Sequence, residues 1–545
     1  MMDFRCKGIS KRVKVKRLAL WLLFIMALLL SMFGCTGQHT ETVRPLEAAE
    51  RQSDVYYQIF IRSFYDSDGD GIGDINGIIE KLDYLNDGNP DTDTDLGVDG
   101  IWLLPFHPSP SYHGYDVTDY YAIHPDYGTM DDFRRLIEKA RKRGLKIIMD
   151  LVVNHTSSEH PWFKDAAAST DSEYRNWYVW ADEHTNTAEA GAVGGPAWHK
   201  SETGHYLGIF WSGMPDLNFD HPPVRQEMIR IGQFWLEQGV HGFRIDAAKH
   251  IYEDWAHSKN DPEVRDKNIA WWNEFRSAME EVHPDVYIVG EVWDSSPVVI
   301  APYLEPFDSA FHFGLASDII ANTRSERSGD YGNRLRRIHD LYREASSGSF
   351  IDAPFLTNHD QNRVMSELKG NMEHAKMAAA QLLTLPGNPF IYYGEEIGME
   401  GQKPDEHIRE PMIWYEDHTR PGMTRWIQPK HNQGTALSVE TQTDDPDSLL
   451  SHYRRLIRWR TEIPALDGGE INDYRSNNRH ITAYVRTAHH DRVLVLHNMS
   501  SVRQQMKWAD DSDSSFRHLV ASTKEGVEIS KQTITLPPYS TVILR

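Results

Sequence analysis

The sequence predicts a barrel of eight alternating strands and helices, interrupted once and followed by an all-β domain. Three observations carry this. From Asp54 onward, strand-like runs alternate with helical patterns, the signature of a parallel α/β sheet. Eight strand candidates can be picked out: Val55–Phe60, Gly100–Leu104, Lys146–Val153, Gly242–Ile245, Val286–Val289, Ala310–Gly314, Ala353–Thr357 and Pro389–Tyr393. Past residue 467 the helical patterns stop, and period-2 runs such as "HITAYVRTA", "DRVLVLHNMS" and "QTITLPPYSTVILR" take over. Eight βα units define the α/β class as a (β/α)8 TIM barrel. With 545 residues the chain is too long for one core, and two or three domains are expected.

The elements follow in order. Residues 1–34 read as a secretory signal: "RCKGISKRVKVKR" is a basic leader, and Leu18–Leu30 is an apolar run too short for a comfortable membrane span. Gly34-Cys35 then resembles a bacterial lipoprotein processing site, with Cys35 as the lipid attachment point. An ordinary cleaved signal or an uncleaved anchor is the alternative. The only other cysteine, Cys6, lies in the segment that would be removed, so no intrachain disulfide is possible in the exported protein. Residues 35–53 read as a polar tether. Residues 54–153 form the first part of the barrel, with "MDDFRRLIEKARKRG" as one of its helices. Residues 154–220, rich in Trp, Gly and His, are too long for a connection and read as an inserted subdomain. Residues 221–467 complete the barrel, with helical patterns such as "VRQEMIRIGQFWLEQG" and "SLLSHYRRLIRWR", and 468–545 form the β-sandwich.

Charge limits the partners. Residues 1–34 hold seven Lys/Arg and one Asp, a net of +6, while the whole chain is −23, so the remainder carries −23 − 6 = −29. Such a surface repels nucleic acid and anionic lipid headgroups, leaving membrane association to the N-terminal lipid alone. A monomer is expected. Sixteen Trp and 24 Tyr suit a protein that stacks flat faces on a ligand, with a large aromatic core as the alternative.

The chemistry concentrates at strand ends. "HGFRIDAAKH" places Gly242, Arg244 and Asp246 on one face of a strand, opposite Phe243 and Ile245. Glu291 in "YIVGEVW" follows the fifth strand, Asp360 and His359 in "FLTNHDQNR" the seventh, and His155 in "DLVVNHTS" the third. In a TIM barrel these ends form one rim, where working residues gather. Structural ion pairs explain any one of these residues but not the set, because buried like charges raise one another's pKa and need compensation. Paired carboxylates suit glycoside hydrolysis. Arg244, beside Asp246, is expected to keep that carboxylate ionised as a nucleophile, while Glu291 is expected to hold a proton near neutral pH.

"DLVVNH", "GFRIDAAKH", "GEVW" and "FLTNHD" resemble, in order and spacing, the four short regions of the α-amylase family of glycoside hydrolases, family 13. The resemblance runs from about Asp54 to the C-terminus, with the insertion as the family's domain B and the sandwich as its domain C. It implies a retaining mechanism with Asp246 as nucleophile, Glu291 as general acid/base and Asp360 as transition-state stabiliser. It further implies sugar contacts from Tyr115, Asp116, His155, Arg244, His359 and Arg363, and from Lys249 and His250 beyond the cleaved bond. Ala247 stands where enzymes preferring α-1,6 bonds carry Val. "MPDLN" lies between the forms of oligo-1,6-glucosidases and neopullulanases. The expected activity is cleavage of internal α-1,4 bonds of starch or maltooligosaccharides, with some transfer. An α-glucosidase or oligo-1,6-glucosidase, or a non-catalytic sugar-binding lipoprotein, is the alternative.

"DSDGDGIGD" carries hard oxygen donors at Asp66, Asp68, Asp70 and Asp74, with glycines that allow a tight wrap, and suits Ca²⁺. Gly77 stands where an EF-hand needs its bidentate Glu. The loop resembles the calcium loop of the oligo-1,6-glucosidase side of the family, which implies a carbonyl ligand at Ile72 and a structural ion. A solvated acidic turn is the alternative. Resemblance to classical amylases implies a second calcium near Asn154, Asp216 and the His250 carbonyl.

Overall fold

Seven parallel strands form the barrel sheet in the order β8-β7-β6-β3-β2-β1-β9. They are β1 (Tyr56–Ile59), β2 (Gly100–Leu103), β3 (Lys146–Leu151), β6 (Gly242–Ile245), β7 (Tyr287–Gly290), β8 (Ser309–Ala310) and β9 (Phe390–Tyr392); β4 (Trp198–Lys200) and β5 (His205–Leu207) belong to the insertion. The computed structural model describes residues 51–252, 261–433, 437–508 and 516–545. The leader, Cys35 and most of the tether lie outside these. All described residues belong to one compact unit, Pro45–Arg545. No helix among them is long and apolar enough to cross a membrane.

The barrel closes through the segment expected as the seventh strand. Phe311 bridges Ala353 and Phe355 bridges Phe390, both in parallel. Only isolated bridges form here because Pro354 between them has no N–H to donate to a ladder. The sixth strand is also shorter than its sequence suggests: it stops at Ala310, and a helix runs from Phe313 to Ser325. Gly242 is required where β6 meets β7, since a Cβ there would lie 1.9 Å from the Tyr287 carbonyl oxygen.

Aromatic rings fill the barrel. Tyr56 stacks between Tyr287 and Phe390 at 5.4 and 5.0 Å, and Trp102 stacks on Phe311 at 5.4 Å. Trp235, Trp271 and Trp272 are likewise buried. The aromatic content therefore serves mainly the core, against the ligand-stacking reading. Among the described tryptophans only Trp211 and Trp293 are exposed.

Between β3 and the helix Pro222–Glu237 the chain leaves the barrel. It forms the helix Pro161–Ala168, which packs on the main core through Phe163 and Ala166, and the β4–β5 hairpin over a small core of Ala197, Leu207 and Ile209. The bridge His155–Asp216 ties both ends of this excursion together, and Tyr178–Leu217 ties its interior to the second end. The C-terminal region pairs a five-stranded and a three-stranded antiparallel sheet over Ile481, Leu494, Leu496, Met506 and Val542. Arg486, fully buried, joins it to the barrel by donating to the Thr384 and Leu466 carbonyls at 2.5 and 3.2 Å.

Candidate active site

Two backbone bonds past the ends of β6 and β7 position the central acids. The Asp246 N–H donates to the Leu151 carbonyl at 3.2 Å, and the Glu291 N–H donates to the Ile245 carbonyl at 2.9 Å. The ladder thus runs one residue beyond each strand and delivers both side chains to the same rim. Ala247 then turns through φ 47°, a left-handed conformation costly for a residue with a Cβ. That turn sends the Ala247 N–H to Glu291 Oε2 at 3.2 Å and the Ala248 N–H to the Glu291 carbonyl at 3.1 Å.

Arg244 lies beneath them with no exposure. Its Nη1 donates to Asp150 Oδ1 at 2.7 Å and to Asp246 Oδ1 at 2.8 Å, while Nη2 stands 2.9 Å from Glu291 Oε1. The last contact is a charge contact without hydrogen-bond alignment. Arg244, expected to keep Asp246 ionised, does contact it and contacts two further carboxylates as well. Its attraction is divided among three carboxylates, and burial outweighs it. Burial pushes Asp150 up to about 6, and both Asp246 and Glu291 up to about 7, with Arg244 opposing each shift. With Asp360 the cluster has four carboxylates against the charges of Arg244 and Arg409, so it retains protons near neutrality. Of the two central acids, Asp246 has the aligned bond from Arg244, and Glu291 accepts the Ala247 N–H.

His359 is fully buried and neutral, its pKa driven far down by burial and by the charges of Arg409 and Arg244. Gln58 Nε2 donates to its Nδ1 at 2.7 Å, so Nε2 carries the proton, and it lies 2.5 Å from the Tyr115 hydroxyl. Tyr115 in turn donates to Asp150 Oδ2 at 3.1 Å. This relay fixes the tyrosine ring in the cleft wall. His155 also lines the cleft, with Nδ1 3.1 Å from Asn154 Oδ1 and Nε2 3.2 Å from the Tyr115 carbonyl; burial pushes its pKa down to about 3, so the neutral ring donates to one of these two acceptors. Lys249 and His250 line the opposite side with Trp293, whose carbonyl accepts from Lys249 Nζ at 3.0 Å. Asp246, Glu291 and Asp360 face the same cleft, which encloses about 480 Å³.

Four residues expected at the sugar are not on the cleft lining: Arg244 and His359 lie behind it with no exposure, and Asp116 and Arg363 are engaged elsewhere. Asp116 is buried and accepts the hydroxyls of Ser109, at 2.6 Å, and Ser111, so it holds its own loop together. Arg363 is buried under the rings of Tyr392 and Tyr393 and donates to the Ile408 and Tyr393 carbonyls at 2.9 and 2.6 Å. The arginine beside Asp360 is Arg409, which sequence reasoning missed together with Lys403, Asp405, His113 and Trp293. Nothing in "QKPDEHIREP" distinguishes a site arginine from a surface one.

In the acidic loop, carboxylate oxygens of Asp66, Asp68 and Asp74 lie within 4.8 Å of one another. Asp66 also accepts the Gly69 and Gly71 N–H groups at 2.6 and 2.8 Å, and Asp74 caps the helix Ile75–Glu80 through Gly77. Asp70 stands apart from the cluster, exposed, its Oδ1 accepting the Ile72 N–H at 2.7 Å. Hard oxygens in a glycine-wrapped loop fit a calcium ion. At the second location, Asn154 Nδ2 donates to the His250 carbonyl at 2.9 Å, and burial pushes Asp216 up to about 8.

Residues 58–469 match the α-amylase catalytic domain family, and residues 481–543 match the C-terminal domain of the SusG α-amylase. The chain belongs to the α-amylase family, family 13 of the glycoside hydrolases. It is 44% identical to α-amylase 3 of Dictyoglomus thermophilum, over 90% of this chain and 93% of that protein. It is 32% identical to the probable oligo-1,6-glucosidase 2 of Bacillus subtilis, over 90% and 98%. The crystal structure of an α-amylase from H. orenii superposes with a TM-score of 0.84 at 48% identity, covering 90% of this chain and 99% of that one.

Proposed function

We propose that this glycoside hydrolase is an endo-acting α-amylase that cleaves internal α-1,4 bonds of starch and maltooligosaccharides with retention. The observation that carries the reading is one guanidinium, Arg244, touching both Asp246 and Glu291. That contact favours the close carboxylate pair of retaining enzymes over the wider pair of inverting ones. Protonated Glu291 gives its proton to the glycosidic oxygen as Asp246 attacks the anomeric carbon. The C–O bond breaks, the aglycone leaves as an alcohol, and a glycosyl ester forms on Asp246. Glu291, now ionised, takes a proton from water, which attacks the same carbon and releases Asp246. Asp360, held by Arg409, stabilises positive charge on the sugar ring.

Asp66, Asp68 and Asp74 would hold a calcium ion whose part is structural, keeping the loop wrapped. The chain is read as exported, monomeric and tethered to the membrane through lipid on Cys35; the support is the leader and the lone cysteine. A second reading, an oligo-1,6-glucosidase, is favoured by the similarity to the Bacillus protein and disfavoured by Ala247. Product chromatography on soluble starch and on isomaltose, each with calcium, tests both. Mixed maltooligosaccharides without isomaltose cleavage support the amylase. Glucose alone, or rapid isomaltose cleavage, supports the glucosidase.

A further inference from the structure

Exposing a tryptophan forgoes the burial of a large apolar surface, and apart from Trp211 and Trp293 every described tryptophan is buried or partly buried. Trp293 lines the cleft on the side of Lys249, with one face stacked on Phe313 at 4.9 Å. Trp211 is more exposed still, at 51%, in the inserted region. Its neighbours Phe210 and Met214 both line the catalytic cleft, and so does His113, whose ring meets the Trp211 ring edge-on at 6.4 Å. Trp211 therefore stands at the cleft rim.

Its ring is braced. The Met214 N–H donates to the Trp211 carbonyl at 2.9 Å, closing a tight turn. A Cβ on Gly213 would lie 2.2 Å from the ring, so only glycine lets the indole rest against this turn. The rest of the ring stays open to solvent. His113, at its edge, lines the cleft with Arg409, Asp405 and Asp360, and Phe210, next to Trp211 in the chain, meets the His250 ring edge-on at 5.7 Å.

We propose that Trp211 is a specificity-determining residue: a platform for the apolar face of a glucosyl unit beyond the cleft, outside the two sugars that flank the cleaved bond. A chain resting there continues past the reacting sugar, which makes an internal bond the one cut. This inference rests on the reading of the site as acting on α-1,4-glucans.

The test compares Trp211→Ala and Trp211→Phe with the parent on soluble starch and on maltotriose. For Trp211→Ala, KM for starch should rise about five- to tenfold, the scale of an aromatic face contact, with kcat within twofold. The loss in kcat/KM should be at least fivefold greater on starch than on maltotriose, and Trp211→Phe should recover most of it. Equal losses on both substrates, or none on either, would overturn the proposal. Binding is measured separately as maltoheptaose quenching of tryptophan fluorescence in a Glu291→Gln background. Quenching should fall when Trp211→Ala is added; unchanged quenching refutes the platform. A parent enzyme inert on every α-1,4-glucan would instead remove the functional reading, leaving the fluorescence result to judge the platform.

Discussion

Arg409 Nη2 lies 3.0 Å from Asp360 Oδ1, and Nε of the same guanidinium donates to the His359 carbonyl at 2.9 Å. Arg409 thus fixes Asp360 by its charge and fixes the backbone before it by a second donor. A lysine retains the charge but cannot reproduce both bonds. Arg409→Ala should lower kcat by about 100- to 1,000-fold, the range for losing a preorganised charge contact. Arg409→Lys should recover only part of that. Arg363→Lys should act on stability first, because Arg363 is buried away from the cleft. Steady-state kinetics beside thermal unfolding separates the two, and a normal Arg409→Ala enzyme would refute the assignment.

Asp246 and Glu291 are both pushed up to about 7 by burial, so activity should peak near neutrality within a narrow range. Falling pH protonates the nucleophile, and rising pH strips the general acid, so the two limbs overlap. The charge of Asp246 raises Glu291, so Asp246→Asn should lower the Glu291 titration. A pH–rate profile for the parent and a carboxyl carbon-13 titration of the variant would check this. A broad optimum centred at pH 4 to 5, as for ordinary carboxylates, would contradict it.

Ala247 pays for its left-handed turn with backbone strain of about 1–2 kcal/mol. Ala247→Gly removes the strain but frees the link between Asp246 and Glu291. The variant should be about 1 kcal/mol more stable, less the entropy glycine adds to the unfolded chain, and slower in kcat. Calorimetry with kinetics tests the pairing. A variant that loses stability would show that the turn is not strained.

The acidic loop also ties distant chain: the Asp66 N–H donates to the Gly422 carbonyl at 3.0 Å, and the Arg425 N–H to the Gly71 carbonyl at 2.7 Å. If calcium holds this loop, chelation should lower the unfolding temperature while kcat, measured well below that temperature, stays the same. With free calcium a hundredfold above Kd, the loss is ~2.7 kcal/mol. Asp68→Asn should remove the response to calcium, and a calcium response that persists in it would move the ion elsewhere.

Glu395, buried beside Glu396, is pushed up to about 8 by burial, while the Tyr453 hydroxyl donates to its Oε1 at 2.8 Å. A carboxyl raised in the folded state favours folding while protonated. Its contribution is whole below the unfolded value near 4.5 and is lost as pH rises through about 8. Glu395→Gln keeps the acceptor for Tyr453 and should flatten this dependence. Unfolding temperatures from pH 5 to 9 should fall less in the variant than in the parent; equal slopes would count against it.

The sequence by itself determined the barrel, the antiparallel C-terminal domain and the rim position of Asp246, Glu291 and Asp360. These are local properties: strand periodicity sets which face Arg244 and Asp246 share, and a carboxylate following a strand lands at the strand's end. Only the tertiary structure decided which distant groups meet. Arg409, 49 residues from Asp360, reaches it because barrel closure brings the loops after the seventh and eighth strands together, while Arg363, three residues from Asp360, turns into the core. Arg244 is divided among Asp150, Asp246 and Glu291 because three neighbouring strands end around it. Composition likewise could not separate Trp211 from the buried tryptophans, since exposure depends on what packs against a ring, and that is settled when the inserted region folds over the rim.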